Sequence, residues 1–138
     1  MKNKTIPRKL KKLVVAAMRR HAWNIGVSEY RGDIFWKKED KLSDDGEKIS
    51  AETVVDRKYL RVIIKIFPVF IQDWKERGDE FAEEVIAHEV AHVATAHLYH
   101  LAISIYKDSG EMDDAWETLT ERVGRLSSDL DKQLRKKK

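Results

Sequence analysis

The chain has no cysteine among its 138 residues, which excludes a disulfide framework and any thiolate metal site. A metal bound here has to take nitrogen and oxygen ligands. Proline and glycine are scarce, at two and six residues, and the stretch from Asp79 to about Lys107 holds neither, so nothing there interrupts a long helix. Extended apolar runs are also missing, and none approaches the roughly 20 residues needed to cross a bilayer. Leu13 to Met18 is apolar and follows a basic stretch, but it is short and closed by Arg19, Arg20 and His21. That fits an amphipathic helix and not an export signal. With no internal repeat and no linker, residues 1–138 read as a single domain in a cytoplasmic setting, and the hydrophobic fraction of 42% is that of a folded protein.

The net charge is +3, with the basic excess concentrated at the ends. Lys2 to Lys12 carries six basic residues and no acid, and the chain closes Arg135-Lys136-Lys137-Lys138. Basic tails at about 1–8 and 135–138 offer a contact to nucleic acid. Solvated, frayed ends account for them more simply, and no helix-turn-helix or base-stacking strand motif supports nucleic-acid binding.

The patterning predicts an α+β chain. Leu10, Leu13, Val14, Ala17, Met18 and His21 recur at helical spacing and give a first helix with one apolar stripe. Ile25 to Trp36, with glycines at 26 and 32, suits an irregular or bulged strand, and Lys37 to Ser50 reads as an exposed loop around Asp44-Asp45-Gly46. Thr53 to Val55 is a short strand and Asp56 to Lys58 a turn. Leu60, Val62, Ile64 and Ile66 then alternate along a strand with one buried face. Pro68 opens a short helix, Val69 to Arg77, that ends at Gly78. The uninterrupted helix follows, and a last one runs from about Asp113 to Leu134 with Trp116, Leu119, Val123, Leu126, Leu130 and Leu134 on one side.

Inside the long helix stands His88-Glu89-Val90-Ala91-His92, an HExxH pentapeptide. Two histidines four apart differ by about 40° around a helix, so both imidazoles can point at one metal ion. The intervening Glu89 can take a proton from a water held by that ion, the division of labour in HExxH metallohydrolases. The competing structural account makes His88 and His92 polar positions on a mostly buried helix.

A catalytic zinc takes three protein ligands and keeps one position open, so a third ligand is needed. A metzincin would place glycine at 95 and histidine at 98, where this chain has Thr95 and Leu98. His97 and His100 lie about 180° and 120° around the helix from His88 and cannot converge with the pair. His21 cannot be placed from sequence. A carboxylate on the last helix is the remaining source, from Asp113, Asp114, Glu117 and Glu121. Glu117 and Glu121 share a face, so either can serve while the other supports a ligand. Against that, Asp114 and Glu117 are spaced as a capping box, and Glu121 can simply pair with Arg125. Glu117 also lies about 140° from the centre of the apolar stripe, an awkward position for a residue facing a neighbouring helix.

The order helix, strands, HExxH helix and glutamate-bearing helix resembles the gluzincin branch of the zincin peptidases. Glu84 to His92, followed by Trp116 to Leu126, is similar to the small HExxH metallopeptidases of phage and bacteria, which pair a VxHExxH helix with a later EExxVxRLxxxL segment. More distantly the chain resembles the ImmA/IrrE-like metallopeptidases, and the resemblance covers roughly residues 60–130. SprT-like proteases differ in needing a histidine well beyond the motif, and this chain has none after His100.

The resemblance implies a minimal zincin domain: an N-terminal helix, a small mixed or antiparallel sheet, the HExxH helix and a C-terminal helix bearing the third ligand. It implies one zinc ion per chain on His88, His92 and Glu117, with Glu121 the alternative, and Glu89 as general base of a zinc metalloendopeptidase. The expected partner is a peptide or protein substrate lying along an exposed strand edge in the Thr53 to Ile66 region, with Tyr99, Tyr106, His97 or His100 available to support the oxyanion. The acidic loop near Asp44 is a further candidate contact. Two other functions remain open on sequence alone: a metal-binding interaction protein without peptidase activity, and a basic helical nucleic-acid binder.

Overall fold

The computed structural model describes residues 5–105 and 109–137, and their side chains except at 97, 98, 101–105 and 109–112. The first helix, α1 (Arg8–Asn24), buries Leu10, Val14, Ala17 and His21 along the predicted stripe. The basic run from Arg8 to Lys12 therefore belongs to a helix and is not a tail. After a turn at residues 25–30, β1 (Arg31–Trp36) begins later than the sequence suggests.

The expected loop at 37–50 instead contains a small antiparallel hairpin, β2 (Lys41–Leu42) with β3 (Lys48–Ile49). Gly46, at φ 81°, makes its turn. Two-residue strands are too short to show alternation, which is why periodicity passes over them.

Next come β4 (Ala51–Asp56) and β5 (Arg61–Ile66), joined by a turn at 57–60. Val62, Ile64 and Ile66 are buried as predicted, but Leu60 lies in the turn at φ 49° and is exposed, outside the strand. The sheet is mixed, in order β1-β5-β4, with β1 parallel to β5 and β4 antiparallel to it. β4 is thus an edge strand and β5 the centre.

Helix α2 (Pro68–Arg77) carries its proline in the first turn, where no backbone N–H bond is lost. Gly78, at φ 88°, closes it and allows the chain to enter α3 (Asp79–Ile105) at once. Trp74 Nε1 donates to Asp79 Oδ1 at 2.8 Å across that corner. The core lies between the sheet and α1, α2 and α3: Ile64, Phe70 and Ile86 are fully buried there, and each such side chain contributes about 1.5–3 kcal/mol of transfer free energy.

The last helix, α4 (Ser109–Lys136), starts earlier than expected, so Asp114 is an interior residue and the Asp114/Glu117 capping box does not form. Its packed face is also not the predicted one. The residues buried against the rest of the chain are Thr120, Gly124, Ser127 and Asp131, whereas Leu119, Leu126, Leu130 and Leu134 are exposed. Close approach explains the rotation of about 100°. A Cβ built on Gly124 would stand 3.0 Å from His88 Cα, so leucines on this face would hold α4 away from α3.

Candidate metal centre

The HExxH residues sit in the middle of α3, as the sequence predicts, and α4 runs alongside them. Small residues at the crossing let Glu117 reach both histidines. His88 Nε2 is 3.4 Å from one Glu117 carboxylate oxygen and His92 Nε2 is 3.4 Å from the other. All three ligand atoms fall within 4.8 Å of one another. A tetrahedral zinc with bonds of about 2.0–2.1 Å separates its ligands by about 3.3–3.4 Å. Each imidazole nitrogen stands about that far from one of the two Glu117 oxygens, long for a hydrogen bond, and two imidazoles with one carboxylate form a donor set that zinc accepts. The residues fit the ion.

The rotation of the packed face removes the difficulty with Glu117. It lies far from the leucine stripe but on the small-residue face, which is the one that meets α3. Glu121 instead pairs with Arg125 four residues on and stands outside the cluster.

Glu89 is buried beside the candidate ligands. The Thr53 hydroxyl on β4 donates to Glu89 Oε2 at 2.5 Å and also lies 3.1 Å from the Glu89 carbonyl oxygen. Burial pushes the Glu89 carboxyl up to about 7, against the opposing pull of the Thr53 hydrogen bond and His88. Burial has the reverse effect on His92, lowering it to about 4 and leaving the imidazole neutral and able to bind a cation. His88 is raised and Glu117 lowered, each chiefly by its contact with the other.

A supporting layer stands behind His92. The Trp116 ring meets the His92 ring edge-on at 5.0 Å, and Trp116 Nε1 donates to Thr95 Oγ1 at 2.8 Å. Thr95 in turn bonds Thr120 of α4 at 2.8 Å. Neither Thr53 nor Trp116 stands out as a site residue in the sequence; Trp116 reads there as one member of an apolar stripe.

A cleft of about 1090 Å³ opens over the cluster, bounded by β4 on one side and α4 on the other. Asp44 does not line it. Of the oxyanion candidates, Tyr99 is stacked on Trp116 with centroids 3.8 Å apart and its hydroxyl is bound to Asp113, which pushes its pKa up to about 12. Tyr99 and the exposed His100 are not among the cleft residues, while Tyr106 and the His97 side chain lie outside the described residues.

A second group, His21, Glu83 and Asp131, is also close enough to share an ion. Its two carboxylates are already neutralised. Arg20 reaches Glu83 at 3.1 Å and Asp131 at 3.3 Å, and Arg135 reaches the same acids at 3.1 and 2.9 Å. Two guanidinium groups at that distance repel a cation, so this is an ion-pair network joining α1, α3 and α4. Arg135 consequently belongs to the folded structure and not to a basic tail. Compared with family models, with curated proteins and with solved structures, the chain matches none.

Proposed function

We propose that the chain is a zinc-dependent endopeptidase of the small zincin kind, with His88, His92 and Glu117 as metal ligands and Glu89 as general base. The observation that carries this reading is the convergence of the two Nε2 atoms on the Glu117 carboxylate at 3.4 Å, with a buried glutamate beside them. A bound zinc would supply Lewis acidity and make a water nucleophilic near neutral pH. Glu89, buried beside the cluster and held by Thr53, takes the proton of the attacking water and delivers it to the leaving amine. The free edge of β4 borders the cleft and offers backbone groups to an extended peptide, consistent with a peptide or protein substrate.

Metal analysis joined to hydrolysis of an unfolded protein such as casein tests the assignment. Wild type, Glu121→Ala and Glu89→Gln should each bind about one zinc per chain, and His92→Ala and Glu117→Ala should lose it. Glu89→Gln should cut at least about a hundredfold more slowly than wild type. Full zinc in Glu117→Ala sinks the third ligand. A zinc-loaded wild type that cuts no faster than Glu89→Gln sinks the peptidase.

A further inference from the structure

The leucines of α4 form a surface with no partner among the described residues. Leu119, Val123, Leu126 and Leu130 are spaced four, three and four apart, the a/d rhythm of a two-helix seam, and Leu134 follows. Leu126, at 69%, is among the most exposed large apolar residues in the structure. The stripe is about 100° around α4 from the face packed on α3, and about 160–180° from Glu121 and Ser128, which line the cleft. At its C-terminal end it adjoins Trp23, 77% exposed, across a shallow depression that includes Leu134.

We propose that this stripe pairs with α4 of a second copy of the chain, antiparallel, to form a two-fold dimer. Charge selects both occupant and direction. Arg122 and Asp129 flank the leucines on one side, and neither is in an ion pair among the described residues. When Leu119 lies opposite Leu130 of the second copy and Val123 opposite its Leu126, Arg122 of each chain falls beside Asp129 of the other. The same contact is made twice, as a two-fold axis requires. In the parallel arrangement Arg122 would meet Ser127 and Asp129 would meet Leu134, and neither charge would be matched. The cleft stays open in the dimer because it lies on the far side of α4, and pairing does not depend on bound metal.

Sedimentation velocity of the full chain, from micromolar to several hundred micromolar, tests the pairing. The wild type should pass from monomer to dimer with concentration. Leu126→Glu, which leaves the exposed site folded as judged by circular dichroism, should stay monomeric. Arg122→Asp should weaken association by about tenfold, because it places two acids together at both ends of the seam. The double variant Arg122→Asp/Asp129→Arg should restore it. A wild type that remains monomeric throughout overturns the proposal, as does a dimer that tolerates Leu126→Glu or a charge swap that fails to rescue.

Discussion

Glu89 is held by a side chain that no HExxH pattern specifies, the hydroxyl of Thr53 on the neighbouring strand. A carboxylate acting as a base needs its oxygen fixed toward the attacking water, and a single short hydrogen bond does this at little entropic cost. Replacing Thr53 with Val should leave zinc content unchanged and lower kcat by about tenfold or more with KM little altered, while Thr53→Ser should retain activity. Equal kcat for the Val variant would show that the hydroxyl does not position the base. His21 makes a separate residue-scale case. Its Nδ1 bonds Ser127 at 2.6 Å, and burial lowers its pKa from the ordinary 6.5. In the window between that lowered value and 6.5 the unfolded chain binds the extra proton, so stability rises with pH there and is lost as the solution is acidified below 6.5. The difference in Tm between wild type and His21→Gln should therefore shrink from about pH 7 to about pH 5, and a constant difference would count against a buried neutral imidazole.

At the scale of elements, α4 is where sequence and structure diverge most. The α3 helix was legible because it lacks Pro and Gly over its whole length and because the HExxH spacing is itself helical. The α1 stripe and the β5 alternation were legible for the same reason, since burial follows apolar period wherever a large side chain fills the core. On α4 the period points the wrong way, because what meets α3 is selected for smallness: Thr120, Gly124 and Ser127 admit backbone contact that leucine would block. Hydrophobic patterning carries no signal for such a face, and so Glu117 looked misplaced. Gly124→Ala tests the idea against the usual trend. In an exposed helix it would stabilise by about 1 kcal/mol, but here overpacking against His88 costs about 1–3 kcal/mol. The variant should have a lower Tm and weaker zinc binding, because Glu117 moves away from the histidines; an unchanged Tm and zinc affinity would mean that the contact at Gly124 does not set the helix separation.

Across the whole molecule, the proposed ligands span α3 and α4, which also meet through the Trp116 ring, the Thr95–Thr120 bond and the close approach at Gly124. Zinc binding should therefore stabilise the fold as well as complete the site. At a free zinc concentration a hundred times Kd the gain is about 2.7 kcal/mol. Adding a chelator should lower the Tm of wild type and leave that of Glu117→Ala where it was, and a wild-type Tm indifferent to chelation would argue against metal held between α3 and α4. The opposite end of the same helix pair is joined differently, by Arg20 and Arg135 alternating with Glu83 and Asp131. Such a ring is balanced only while all four members are present. Cutting the chain just after Leu134 would remove Arg135 and leave two acids, one of them buried, sharing a single guanidinium. The charged end of this sequence, which reads as dispensable, thus sets where a shortened or tagged version of the protein can begin to differ from it: beyond Arg135, and not before.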